Sequence, residues 1–143
     1  MKRIAYLLLA LSCLLAVHCG TVRQVSQQKA DVTLADSIWT FSQTRPDGFT
    51  LHLATWTEPT VGISVSYEDT QHSHGRECLE AVIGHAKTHS GHIGGWFNSS
   101  DSLYYFDSVR IFPEDSLSAA ILFGREHHQI AIYRLSTGEE IYL

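Results

Sequence analysis

Cysteine is scarce, and its positions make it scarcer. Of the three cysteines in 143 residues, Cys13 and Cys19 fall at the N-terminus and Cys78 stands alone in the body of the chain. If the N-terminal stretch is removed on export and Cys19 is modified, no intramolecular disulfide remains to staple the fold. Basic residues are also few: ten Lys and Arg stand against fifteen Asp and Glu, a formal charge of −5 that becomes −7 if Lys2 and Arg3 leave with a leader. That balance argues against nucleic acid as a partner, because phosphate recognition needs a basic surface. There is no internal repeat, no low-complexity tract, no Gly-rich phosphate loop and no serine-nucleophile elbow. What remains is an ordinary globular composition, 44% hydrophobic and 17% charged, with length for one domain. A chain of this size buries roughly two-thirds of the surface its unfolded form exposes, so it needs no staple.

The longest apolar run, residues 4–17, follows Lys2 and Arg3. It is short for a bilayer span and suits the apolar region of an export signal, here residues 1–18. The sequence Leu15-Ala16-Val17-His18-Cys19-Gly20 resembles the lipobox of bacterial lipoproteins, with His18 in place of the usual small residue. That resemblance implies a lipidated Cys19 and a bilayer anchor; ordinary cleavage near Cys19, leaving a soluble protein, is the alternative. Residues 19–36, with Gln24, Gln27, Gln28 and Lys29, read as a solvated tether, and 37–143 as a single α+β domain. No acidic run follows Cys19, which points to a periplasm-facing protein.

Two N-terminal strands are expected at 37–41 and 49–56, separated by the turn Arg45-Pro46-Asp47-Gly48. Val61, Ile63, Val65 and Tyr67 alternate with Gly62, Ser64 and Ser66, giving a strand with one apolar and one small polar face. A helix over 75–89 carries Leu79, Val82, Ile83 and Ala86 at i, i+3, i+4 and i+7. Strands at 93–97 and 103–112 form a hairpin through Asn98–Ser102. A second helix begins at Pro113, with Glu114 and Asp115 at its positive end and Gly124 permitting close approach to the sheet. Strands at 129–135 and near 140–143 close the chain. From Val61 onward the order is β-α-β-β-α-β, which predicts a ferredoxin-like antiparallel sheet with two helices on one face, plus two extra N-terminal strands. Right-handed crossovers place the strands beginning at Val61 and Leu103 in the centre.

At Gly94-Gly95-Trp96, at 105–112 (YFDSVRIF) and at 129–133 (QIAIY) the chain resembles a group of small uncharacterised proteins from Bacteroidetes. The resemblance covers roughly Asp47 to Leu143. It implies a bacterial envelope protein and carries no activity. It also implies a modification motif: Asp36-Ser37-Ile38, with three similar triplets at 101, 107 and 115, looks like the Asp-Ser-apolar acceptor of Bacteroidetes O-glycosylation, most plainly at Ser37. Turn and cap chemistry explains the same triplets.

Histidine is abundant: eight of the nine remain after His18 is removed. His85 and His89, four apart on a helix, can reach one ion from one face, and His72 and His74 in the preceding loop are further candidate ligands for a weak zinc or copper site. No H-E-x-x-H arrangement accompanies them, and uncomplexed surface histidines are the plainer reading. Cys78 and His85 lie about 10 Å apart along a helix axis, too far for a nucleophile–base pair. Asp107, mid-strand beside Tyr105 and Val109, is a candidate buried acid. Glu77 or Glu80 could pair with it for acid–base work, but no spacing requires that.

The candidate partner surface follows from parity. If Ile63, Val65, Val109, Ile111 and Ile132 face the helices, then Tyr104, Phe106, Arg110 and Tyr133 share the helix-free face, as residue types enriched at binding hot spots. In the competing arrangement residues 37–56 cover that face and make Phe106 and Tyr133 core. The resulting expectation is a binding module, anchored by Cys19, whose partner is another envelope protein; a histidine-based metal protein and an unrecognised enzyme are the alternatives. Anchoring has a direct check: Cys19→Ala should move the protein from the membrane to the soluble fraction, and a wild-type protein found soluble or starting at Gly20 refutes the lipid.

Overall fold

A computed structural model describes residues 23–143. Cys19 and the stretch expected to be an export signal, residues 1–18, lie outside the described residues. Among the described residues no helix is long and apolar enough to cross a membrane. The chain divides into two compact units, 1–34 and 35–143. In the first, the described residues are helical and exposed through residue 30. Thr33 Oγ1 donates to the Lys29 carbonyl (3.0 Å), a bond that a helix turn permits. The stretch read as a tether is therefore helical from residue 23.

Residues 23–42 are helical throughout (α1), which overturns the strand expected at 37–41. Ile38, Trp39, Thr40 and Phe41 are residues that strands favour, but the decisive spacing is longer. Ala35, Ile38 and Ser42 are buried, at i, i+3 and i+7, and set one helical stripe against the sheet. Ser42 Oγ and Thr44 Oγ1 donate to the carbonyls of Trp39 and Phe41, satisfying acceptors that a helix end leaves open. The chain then turns as expected at 45–48, where Gly48 sits at φ +96°; a Cβ there would lie 2.7 Å from the Gly95 carbonyl oxygen.

The remaining elements are β1 (Phe49–His52), β2 (Ile63–Ser66), α2 (Leu79–Thr88), β3 (His92–Asn98), β4 (Leu103–Phe112), α3 (Leu117–Glu126), β5 (Ala131–Arg134) and β6 (Glu139–Tyr142). They make an α+β fold with one six-stranded sheet in the order β1-β3-β4-β2-β5-β6, every neighbouring pair antiparallel. β2 and β4 are central, as expected. One extra strand precedes them rather than two, and β6 completes the other edge. The stripe Leu79, Val82, Ile83 and Ala86 is fully buried on α2. In α3, Gly124 admits the close approach its position suggested, since a Cβ would meet Leu143 and Ile132 at 2.5 and 3.1 Å. Pro113 and its acidic neighbours do not begin α3. Glu114 instead accepts from the Gly62 amide, the Ser136 hydroxyl and Arg134, tying the chain before α3 to both flanking segments.

Register fixes which side chains share a face. Ile63 pairs with Phe112 and with Arg134, Val65 with Arg110, Gly95 with Phe106 and with Phe49. The face carrying Phe49, Leu51, Ile63, Val65, Phe106, Phe112 and Ile132 is the one the helices cover. Trp39 and Phe41 of α1 pack on Phe106 and Phe49, and Gly124 of α3 lies over Val65 and Ile132. The parity expected for β4 is therefore inverted. Tyr104, Phe106 and Arg110 face the helices, while Val109 and Ile111 face away with Ser64, Ser66 and Tyr133.

Phe106 is fully buried and touches the rings of Trp39, Phe49 and Tyr104. Phe106→Ala should destabilise the domain by about 3–5 kcal/mol, whereas Tyr133→Ala, on a residue 43% exposed, should cost under about 1 kcal/mol. Urea unfolding of the two variants checks both; equal losses would contradict this division of faces.

Candidate functional site: the helix-free face of the sheet

The face opposite the helices is concave. It forms a cavity of about 880 Å³ whose floor is Ser64, Ser66, Gly94, Asp107 and Val109, and whose walls include Trp96, Tyr105, Ala131 and Tyr133. Its shape follows from small residues. Alternation gives β2 the hydroxyls Ser64 and Ser66 where its other face has Ile63 and Val65. β3 contributes Gly94, paired with Asp107, so the position directly opposite the carboxyl on that strand carries no side chain. Trp96 and Tyr105 are cross-strand partners, and their rings stack with centroids 5.1 Å apart at 20°. Tyr105 is held upright because its hydroxyl donates to Asp101 Oδ2 (2.8 Å) in the 98–102 turn.

Asp107 is the chemically unusual residue. It is largely buried at the centre of the sheet, and burial pushes its carboxyl up from the usual range to about 6. The Ser66 hydroxyl and the Trp96 indole N–H bond to it and pull the other way, without overcoming burial. Among the described residues no Lys or Arg lines the cavity, and no cation acts on this carboxyl. The acid–base partners considered for it do not reach it. Glu80 is bridged to Arg76 (3.5 Å), and neither Glu77 nor Glu80 lines the cavity. Neither glutamate is therefore placed to act with Asp107 as an acid–base pair.

The residues proposed as a partner surface are not together. Tyr104 donates its hydroxyl to the Arg45 carbonyl (2.8 Å) on the helix side, and burial pushes its pKa up to about 12. Arg110 lies over the rings of Phe112 and Phe123, at 4.6 and 5.3 Å from their centroids. Phe106 is core, and Tyr133 alone borders the cavity.

Nor do the four candidate histidine ligands converge. His85 and His89 stack on α2 with ring centroids 3.8 Å apart, both against the buried ring of Tyr67, which His127 also contacts. His85 is not the open ligand its helix position suggested: 17% of its side chain is exposed, its Nδ1 is buried without a partner, and its Nε2 is 3.7 Å from Asp69. Burial, then the neighbouring His89, lowers its pKa. His74 packs on Tyr105, and His72 lines the cavity. Among the described residues no group of three or more His, Cys, Asp or Glu is placed to hold a metal ion. Of the Asp-Ser triplets, Ser108 is fully buried and Ser37 is exposed on α1. Cys78 is a free, half-buried thiol just before α2.

The sequence reading named Asp107 and the small polar face of β2, but did not join them. The signal was available: aligning the strand faces by their polar members would have put Asp107 with Ser64 and Ser66. No family model, curated protein or solved structure matches the chain.

Because Asp107 binds its proton more tightly folded than unfolded, its contribution to stability is present below about pH 4 and is lost as pH rises towards 6. Asp107→Asn should therefore be more stable than wild type at pH 8, by about 1–3 kcal/mol, with the gap closing near pH 4. Asp47, Glu58, His72, His128 and Glu140 also border the cavity but are common to both proteins, so the difference isolates Asp107. Chemical denaturation at several pH values measures it; a variant less stable at pH 8 would make the carboxylate a structural bond.

Proposed function

We propose that this is an exported binding module, anchored through Cys19, that takes a small polar ligand in the concave face of its sheet. The observation that carries the reading is Asp107: a largely buried carboxyl, opening into a cavity, with two neutral donors and no cation. A residue that costs stability at neutral pH where serine or threonine would fit is best explained by something it binds. The cavity's volume lies in the range typical of small-molecule sites, about 300–1,000 Å³. A concave floor of this kind suits a small molecule better than the flat contact of an envelope protein, so the helix-free face is kept as the binding face and its occupant revised. For the framework, the succession β2-α2-β3-β4-α3-β5 with inner order β3-β4-β2-β5 supports a ferredoxin-like core, extended at its edges by β1 and β6.

Amide NMR of the domain against a panel of small polar compounds, cationic, neutral and anionic, tests the reading. Ligands should shift Trp96, Tyr105, Asp107 and Ala131 while leaving α2 and α3 unmoved. Ala131→Trp should abolish those shifts by filling the cavity. Shifts confined to the helices, or none from any charge class, would remove this face as the site.

A further inference from the structure

The cavity has a definite electrostatic character. Asp47, Glu58, Asp107 and Glu140 border it, and no Lys or Arg does. Two of the four are committed elsewhere: Glu58 to Arg45 at 2.9 Å, and Glu140 as acceptor from Tyr142 at 3.1 Å. Asp107 is not. A carboxylate offers about four acceptor positions, and Ser66 and Trp96 account for two. Free acceptor capacity is thus left on a largely buried anion, directly beneath open volume. Beside it stands Trp96, stacked on Tyr105 and nearly half exposed. The faces of such rings attract cations, most strongly for Trp.

We infer that the cavity binds a small organic cation carrying a primary ammonium or guanidinium group, its N–H groups seated on Asp107 and its apolar stem against Trp96 and Tyr105. This rests on the reading of the cavity as a ligand site and adds the charge of the occupant. Three considerations decide the charge. An anion would enter a space bordered by acids with no Lys or Arg among the described residues to receive it. A neutral hydroxylated ligand would fill the remaining acceptor positions but leave the buried charge uncompensated. A cation with N–H donors does both, and gains from the ring faces as well. Donors matter besides charge, so a quaternary ammonium, which has none, should bind less well than a primary one.

The test uses one size of probe in three charges: phenethylammonium, 2-phenylethanol and 3-phenylpropionate, with tetramethylammonium and methyl glucoside as further arms. Titration at pH 8 is followed by the indole N–H resonance of Trp96, identified by its loss in Trp96→Phe. Phenethylammonium should shift that resonance saturably and bind at least tenfold more tightly than phenylethanol, with phenylpropionate inert. Asp107→Asn, which removes the charge while keeping an acceptor, should weaken the cation at least tenfold and leave phenylethanol unchanged. Equal binding of the alcohol or the glucoside, or full retention of the cation by Asp107→Asn, overturns the cation while leaving the cavity a ligand site. Failure of every probe to move any cavity resonance overturns both.

Discussion

A strand at the centre of a sheet sends successive side chains to opposite sides, so it must satisfy two environments with one sequence. In this protein that constraint falls on β4. Phe106, Ser108 and Phe112 close the helix-side core, while Tyr105, Asp107 and Val109 form the floor and wall of the cavity. Neither set can move without the other, because a slip of one residue exchanges the faces. Two adjacent glycines in β3 lock the arrangement from the neighbouring strand. A Cβ on Gly95 would collide with the Phe49 ring on the core side, and one on Gly94 would press Val109 at 3.0 Å on the cavity side. The core is dense where the aromatic rings need the space, and the cavity is open where Asp107 lies.

The aromatic residues divide accordingly. On the helix side, Trp39, Phe41, Phe49, Tyr104 and Phe106 form one continuous ring cluster, with Phe41 also edge-on to Trp56. α1 supplies two of those rings, so the segment that might have crossed the far face is occupied on the near one. That placement is what leaves Trp96, Tyr105 and Tyr133 to line a cavity rather than a second core. The core and the cavity thus draw on different aromatics of the same sheet, and a change in one set need not disturb the other.

Much of this was legible in the chain. The α2 stripe, the turn at 45–48, the hairpin through Asn98–Ser102, the close approach at Gly124 and the central position of β2 and β4 all rest on local patterns with short-range causes. The parts that were not legible depend on partners distant in sequence. α1 resembles a strand over five residues, and only its burial at Ala35, Ile38 and Ser42 makes it a helix. Glu114 has a good position for a helix start, but the Gly62 amide and Arg134 claim it. β4 has apolar residues on both faces, so hydrophobicity alone gives no parity. Polarity does, because Asp107 has no tolerable place among Phe106, Ile63 and Val65.

Burial acts on the titrating groups with opposite signs, because it disfavours the charged form of an acid and of a base alike. His85, buried on the helix side against Tyr67, has a lowered pKa, as has His92, which is buried beside His52. Their contributions are intact above the unfolded histidine value near 6.5 and are lost as pH falls below it. Asp107 on the cavity side behaves in reverse: its contribution is present in acid and lost as pH rises to about 6. Between about pH 4 and 6.5 the slopes of the two kinds of group oppose one another. Above that window the histidine seam is at full strength and only the cavity carboxylate remains unfavourable.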